Sequence, residues 1–391
     1  MGTLVVFIIV LGILVFVHEF GHFLAARKSG MKVYEFALGF PPLLIGFYKD
    51  PKSGKIVWVK RGSKSKDKLA KVGGGEAFEE EYPATLYSLN LLPLGGYCKI
   101  KGENGELESE PDSFGYQKTW KKLVVLVAGV TMNFIFAAVV LGIGFMIGLP
   151  MDISDGIPKG AELVGEQHVV IQQVEKDSAA EHAGLKMGDK ILSMDGTEAS
   201  SIKNVIEYVN TKGEQDIDLV YNRAGEVKKL TVKPQIVGET TEPHLGVYLA
   251  DAAMVRFPWY ISVYKGFWAA ALGFINILIG FFFLLKGIIT GQGLLFDVSG
   301  PVGIAVLVGE SAKLGINYLL NITAMISLSL AVINILPIPA LDGGRALFVV
   351  IEKVSGRPVP MKYEQLAHTI GFVLLMILIV VVSARDIIGL F

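Results

Sequence analysis

Residues 3–24, TLVVFIIVLGILVFVHEFGHFL, form an apolar run that is interrupted near its end by His18, Glu19 and His22. About 20 helical residues cross a bilayer core of about 30 Å, so this run is long enough to span a membrane as one helix. A cleavable signal peptide begins with a positively charged region. The start of this run carries no positive charge, so we expect a membrane span and not a cleavable signal peptide. Arg27 and Lys28 follow the run, and this placement of positive charge predicts an N-terminus outside the cytosol and a cytosolic first loop.

Three further apolar runs have the length of membrane spans, at residues 123–149, 316–341 and 366–383. Of the 391 residues, 52% are hydrophobic and 19% are charged, whereas soluble domains contain about 25% charged residues. The composition therefore predicts an α-helical polytopic membrane protein with about four spanning helices. The formal net charge of −1 gives no electrostatic reason to expect a nucleic-acid partner.

The charges of the two long loops indicate how the chain is oriented. Residues 25–122 hold 17 Lys and Arg against 12 Asp and Glu, whereas residues 150–257 hold 11 against 18. The first loop is therefore positive and the second negative, which supports a cytosolic first loop. We expect a multi-pass protein of the cytoplasmic (inner) membrane, with both termini and the second loop extracytoplasmic.

Residues 160–236 predict an inserted α+β domain. Short alternating strands at 169–174 and 217–221 bracket a helix-like stretch at 202–209. Between them, residues 178–196 read SAAEHAGLKMGDKILSMDG, a pattern that resembles the PDZ family over about 75 residues. Such domains bind extended peptides by strand addition, so a peptide or a substrate tail is the expected partner. A PDZ fold that acts only as a rigid size filter is the alternative.

The first loop contains two kinds of segment. Residues 52–71 are rich in Lys, Ser and Gly, which predicts a mobile surface stretch. Residues 87–103 are apolar and favour β-structure with a kink at Gly95 and Gly96. We expect residues 92–99, which include Leu94 and Tyr97, to form a membrane-associated β-hairpin that binds extended substrate.

The sequence His18-Glu19-Phe20-Gly21-His22 is the strongest chemical signal in the chain. Positions i and i+4 lie on one helix face, so both imidazoles can bind one metal ion. Glu19 lies beside that site, where it can take a proton from water at the metal. Ionisable groups within a membrane helix are costly and usually functional, which strengthens the prediction. The single cysteine, Cys98, excludes a multi-cysteine zinc site.

Two histidines leave the metal in need of a third protein ligand. Three other histidines fall in or near the predicted extracytoplasmic domain, where a solvated side chain is the simpler interpretation: His168, His182 and His244. His368 opens the last apolar run, and we interpret it as an interfacial residue.

Asp342 is the strongest candidate for that ligand. It follows the apolar run 334–341, in which Pro337 and Pro339 interrupt a helix, and it precedes two glycines. The carboxylate is thereby left near membrane depth. A structural aspartate paired with Arg345 is the alternative interpretation.

Together these motifs resemble the site-2 protease family of intramembrane zinc metalloproteases, in its bacterial RseP-type (sigma-E regulator protease) branch with one PDZ domain. The resemblance covers nearly the whole chain, and 334–343 match the family pattern Asn-x-x-Pro-x-Pro-x-Leu-Asp-Gly. It implies His18, His22 and Asp342 as ligands of Zn²⁺ and Glu19 as the general base. It further implies single-span membrane proteins as substrates, such as anti-sigma factors or remnant signal peptides.

The same resemblance implies substrate contacts near the metal. Asn334 matches a residue that contacts the substrate backbone, and Pro337 and Pro339 lie in the same motif. Asn133 matches an asparagine of the second span, although Val130 stands where the family usually has proline.

Two other functions stay open on the sequence. One is a zinc-binding membrane transporter or inactive homologue, and the other is a membrane scaffold whose PDZ domain is the function. Glu19 favours the protease, because metal binding alone does not require that carboxylate.

The topology of residues 257–290 follows from the chemistry. The run 267–285 is apolar, but a single crossing there would separate Asp342 from the histidines by about a bilayer thickness, which zinc bonds of about 2 Å exclude. We therefore expect a re-entrant or interfacial helix pair in this region, kinked near Gly280 or Gly287.

Overall fold

The computed structural model forms two compact units, described separately below. The first comprises Met1–Ala138, Ala269–Gly309 and Thr323–Phe391, and the second comprises Val139–Trp268 and Glu310–Ile322. The structure describes residues 2–60, 70–72, 75–77, 82–105, 107, 109–223, 225–236, 243–291 and 299–388.

Helices dominate the first unit. The helices among the described residues of both units are α1 (Gly2–Lys28), α2 (Thr119–Ile147), α3 (Ala179–His182), α4 (Ile202–Lys212), α5 (Trp259–Ile289), α6 (Pro301–Leu314), α7 (Ile316–Ile335), α8 (Asp342–Ser355) and α9 (Met361–Ile388). Among the described residues, five helices are long and apolar enough to cross a membrane: α1, α2, α5, α7 and α9. The chain is thus a multi-pass membrane protein.

Four of these helices occupy the predicted spans 1–24, 123–149, 316–341 and 366–383, with shifted ends. The largest shift is at α7, which ends at Ile335. Pro337 cannot donate a backbone hydrogen bond, and it also disfavours helical geometry in the residue before it. Asp342 therefore does not end a span but begins α8, a helix that the sequence analysis did not anticipate.

The prediction of a kinked helix pair in residues 257–290 is wrong. The region forms one uninterrupted helix, α5, which continues through both Gly280 and Gly287. A glycine inside a long apolar helix costs only about 1 kcal/mol relative to alanine, which is too little to break it.

The described strands form three sheets. The strands are β1 (Val33–Lys49), β2 (Ile56–Lys60), β3 (Ala70–Val72), β4 (Gly75–Ala77), β5 (Leu86–Ile100), β6 (Leu149–Asp152), β7 (Glu162–Leu163), β8 (His168–Val174), β9 (Lys190–Met194), β10 (Thr197–Glu198), β11 (Ile217–Arg223), β12 (Glu226–Val232) and β13 (Val247–Arg256). Of the predicted mobile stretch 52–71, residues 61–69 lie outside the described residues, and 56–60 form β2.

The sheet of the first unit has the order β2-β1-β5. Both long strands are bent, because Leu38 of β1 lies opposite Leu89 and Gly96, one in each half of β5. The prediction of a hairpin within 92–99 is therefore wrong in detail, since that stretch pairs with β1 instead of with itself. In the described pairing, Gly96–Ile100 has β1 on one side and no strand on the other, so this half of β5 is a sheet edge.

The second unit contains the predicted α+β domain. Its eight-stranded sheet has the main order β12-β11-β9-β8-β13-β6, with β10 and β7 paired beside it. Ile171, Ile191 and Leu219 are fully buried at the centre of its core. The sheet extends beyond 160–236, because β13 pairs with β8 and β6 pairs with β13.

Candidate metal centre

Three ligand-type side chains converge in the first unit: His18, His22 and Asp342. Asp342 Oδ2 lies 2.9 Å from His18 Nε2 and 3.2 Å from His22 Nε2. The two Nε2 atoms are 3.2 Å apart. Atoms bound to one tetrahedral zinc at about 2.0 Å are separated by about 3.3 Å, so these three donors fit a single zinc ion.

Helix α1 presents both histidines to the same point. Their spacing of four residues places the rings on one helix face, and both side chains are buried. His22 Nδ1 donates to the carbonyl oxygen of Val125 at 2.8 Å. Because the proton is on Nδ1, Nε2 keeps its lone pair free for a metal.

His18 is oriented by Asn133 of α2. Its Nδ1 lies 3.3 Å from Asn133 Nδ2, while Oδ1 of the same buried amide has no hydrogen-bond partner. Metal binding through Nε2 requires the proton of His18 on Nδ1, which needs an acceptor opposite it. Rotation of the amide by half a turn presents Oδ1 to that proton and satisfies both groups.

Two glycines allow α1 and α2 to approach each other at the site. A Cβ on Gly21 would lie 2.4 Å from the carbonyl oxygen of Ala128. A Cβ on Gly129 would lie 2.5 Å from His22 Nε2 and 2.7 Å from His18 Nε2. The space in front of both donor nitrogens is therefore kept open by the missing side chain of Gly129, as a metal ion requires.

Glu19 lies between the ligand cluster and the edge half of β5. Its carboxylate is close enough to interact electrostatically with His18, His22 and Asp342. A Cβ built on Gly96 would lie 3.6 Å from Glu19 Cγ. Glu19 is therefore positioned to exchange a proton with a group held between the sheet edge and the ligands.

The turn from Pro337 to Leu341 brings Asp342 to the histidines. Gly343 and Gly344 follow it, and a Cβ on either would lie within 2.4 Å of a backbone oxygen of the preceding segment. Asp342 is the first residue of α8, where the helix dipole favours a carboxylate.

Arg345 does not form the ion pair that was considered for Asp342. Its guanidinium contacts Glu103 Oε1 instead, and Nη2 lies 3.3 Å from Asn104 Oδ1. Burial raises the pKa of the Glu103 carboxyl, and the Arg345 charge opposes that change. Asp342 is therefore left with the two histidines, as a metal ligand requires.

The remaining candidate residues fall into two groups. Asn334 is half-buried in the last turn of α7, three residues before Pro337, where the turn that also contains Pro339 begins. Residues 94–97 belong to β5, and Tyr97 lies opposite Ala37 of β1. Of the other histidines, none is a member of the described ligand cluster: His168, His182, His244 and His368.

Several contributors to the site were not predicted. Gly129 of α2 packs closely against His18 and His22 of α1, which are distant in sequence, and glycine gives no local sign of that role. Glu103 contacts Arg345 across 242 residues of sequence, so this contact could not be predicted locally. The spacing of His18 and His22 could be read directly, because both residues lie on one helix.

The family model and the related full-length proteins agree on one family. The model of peptidase family M50 matches residues 6–64 and 58–378. The regulator of sigma-W protease RasP of Bacillus subtilis is 30% identical over 100% of this chain and 99% of its own. The zinc metalloprotease RasP of Geobacillus kaustophilus is 29% identical over 98% of this chain and 97% of its own. The PDZ domain of an SdrC-like protein from Listeria monocytogenes aligns with 22% of this chain and 90% of its own, at 23% identity and a TM-score of 0.21.

Proposed function

Because this chain belongs to peptidase family M50, we propose that His18, His22 and Asp342 hold its zinc and that Glu19 is its general base. The chain is a zinc metalloprotease of the intramembrane type, with Zn²⁺ as its cofactor. The observation that carries the proposed ligand set is the convergence of three donor atoms within 4.8 Å of one another, on segments more than 300 residues apart.

The chain's own residues account for proton transfer and orientation. Zinc, when bound, supplies a Lewis acid that polarises a carbonyl and makes water more acidic. Glu19 accepts a proton from the attacking water and returns it to the leaving amine. Val125 holds His22 in the tautomer that leaves Nε2 free, and Asn133 does the same for His18 when its amide is rotated to present Oδ1.

We place the substrate as an added strand on the edge half of β5. A transmembrane helix hides its amides in internal hydrogen bonds, so the cleaved segment must unwind before attack. The edge at Gly96 passes beside Glu19, and Leu94, Gly95 and Tyr97 extend the same strand. Asn334 lies near the ligand-bearing turn, where its amide can bind substrate backbone, and Pro337 and Pro339 shape that turn.

The substrates that we propose are single-span membrane proteins. Regulation of sigma-W by the Bacillus subtilis relative favours substrates that control transcription factors, such as anti-sigma factors. Remnant signal peptides have the same single apolar segment and are proposed as a second group. We further propose that the PDZ domain takes a peptide or substrate tail, or filters substrates by size.

The proposed orientation places the metal towards the cytosol and both termini outside. At its start α6 donates from Gly303 N–H to Asp386 of α9 at 2.8 Å. At Gly309 it lies against Thr3 of α1, where an added Cβ would be 2.1 Å from Thr3 Cγ2. At about 1.5 Å per residue, Thr3 is about 22 Å along α1 from the ligand His18. By the same measure Asp386 is about 27 Å along α9 from His368, which contacts the turn before Asp342. Gly303 and Gly309 of α6 thus both lie near the proposed outer face, beside the start of α1 and the end of α9.

The test is cleavage of a purified single-span substrate in proteoliposomes. We expect the wild type to generate new termini inside the apolar segment, and the Glu19→Gln variant to generate none while retaining zinc. A transporter or inactive homologue would bind zinc without cleavage. A PDZ scaffold would bind substrate without cleavage or zinc.

A further inference from the structure

The turn that carries Asp342 has an unusual backbone conformation. Ala340 has φ of 79°, in the left-handed region that residues with a Cβ seldom adopt. Such a conformation persists only when surrounding contacts hold it. The contacts of this turn therefore bear on where the Asp342 carboxylate lies.

Helix α9 supplies those contacts from one face. The backbone N–H of Ala340 donates to His368 Nδ1 at 2.8 Å. Three residues later, a Cβ on Gly371 would lie 2.3 Å from the carbonyl oxygen of Pro339. Positions i and i+3 share a helix face, so both residues face the turn. His368 accepts a hydrogen bond from it, and the missing side chain of Gly371 lets Pro339 pack directly against the α9 backbone.

The imidazole of His368 packs against α8 and has one nitrogen without a hydrogen-bond partner. Its ring centroid lies 5.7 Å from that of Phe348 on α8. Because Nδ1 accepts the Ala340 proton, the ring proton of the neutral imidazole is on Nε2. Glu364 Oε1 lies 3.9 Å from Nε2, which is too long for a hydrogen bond.

We propose that His368 is a positioning residue, whose Nδ1 holds the Ala340 amide and thereby sets the Asp342 carboxylate on the metal. Only Leu341 lies between Ala340 and Asp342, so rotation of the peptide plane at Ala340 moves the carboxylate directly. The inference rests on the proposed function for one point, which is that Asp342 ligates zinc. His368 acts from outside the ligand cluster, which distinguishes it from the third-ligand role considered for it.

The two amide analogues of histidine provide the test. Asn at position 368 can place Oδ1 where Nδ1 lies, whereas Gln places its amide near the Nε2 position, out of reach of Ala340. In the purified full chain, we expect His368→Gln to weaken zinc binding about 10- to 100-fold in a chelator competition. It should lower kcat on a single-span substrate with KM unchanged, and His368→Asn should restore both values. His182→Gln, which removes a histidine that has no contact with the turn, is the control and should match the wild type.

Hydrogen–deuterium exchange of the zinc-free protein gives a readout that depends on neither zinc nor activity. We expect faster exchange of the Ala340 amide in His368→Gln and wild-type exchange in His368→Asn. Gly371→Ala displaces Pro339 while the imidazole remains, and we expect it to weaken zinc binding as His368→Gln does. This variant keeps the test decisive if His368→Gln does not fold.

Two results would overturn the proposal. Wild-type zinc affinity and Ala340 exchange in His368→Gln would show that the hydrogen bond does not set the ligand. Loss of cleavage in His368→Asn with zinc affinity intact would show that the imidazole acts in the reaction itself. Failure of the proposed ligand set is recognised separately, because zinc affinity would then be unchanged in Asp342→Ala.

Discussion

Substitution of Gly129 by alanine should remove zinc from the site without touching a ligand. The added Cβ would lie 2.5 Å from His22 Nε2, and about 0.9 Å of movement is needed to reach an ordinary contact of 3.4 Å. Overpacking of this kind costs about 1–3 kcal/mol of stability. Misplacement of a reacting group by about 1 Å can lower the rate about 100-fold.

The assay combines metal analysis with cleavage in proteoliposomes. We expect Gly129→Ala to lose most of its zinc and to lower kcat/KM at least about 100-fold, while the helices stay folded. Gly12→Ala on α1 is the matched control, because no atom lies within 4 Å of its added Cβ. Full zinc occupancy and activity in Gly129→Ala would refute the inference that Gly129 keeps the space in front of the two Nε2 atoms open.

Three further results are expected. Glu19→Gln should retain zinc and lower kcat by about 10²- to 10⁴-fold, as measured by cleavage and metal analysis; near-wild-type turnover would mean that another base serves. Proline at Cys98, on the edge half of β5, should impair cleavage of a single-span substrate, whereas proline at Lys60, on the opposite edge strand β2, should not; equal activity of the two variants would exclude strand addition at β5. In a cysteine-free background, a cysteine at Lys313 should react with an impermeant thiol reagent from outside the cell, and one at Lys28 only after permeabilisation; the reverse pattern would invert the proposed orientation.

The sequence predicts those features that depend on local pattern. The His18 and His22 spacing lies on one helix, and long apolar runs define four of the five candidate spans. Pro337 and Pro339 correctly indicate an interruption before Asp342, because proline cannot continue a helix.

The sequence fails where tertiary contacts decide the structure. The stretch 92–99 is predicted to pair with itself. In the structure β1 pairs instead with both halves of the bent strand β5. Region 257–290 was expected to be broken at a glycine, yet α5 is continuous. The hydrogen bond between the Ala340 amide and His368, 28 residues away, has no sign in the sequence near either residue.

The zinc content of Asp342→Ala tests the central claim most directly. The wild type should hold one zinc per chain, and so should Glu19→Gln, whose three ligands are intact. Asp342→Ala should lose most of its zinc under the same purification, because two imidazoles alone leave the site one protein ligand short of a catalytic zinc site. Equal zinc content in all three proteins, with cleavage retained in Asp342→Ala, would contradict the assignment of His18, His22 and Asp342 as the metal centre.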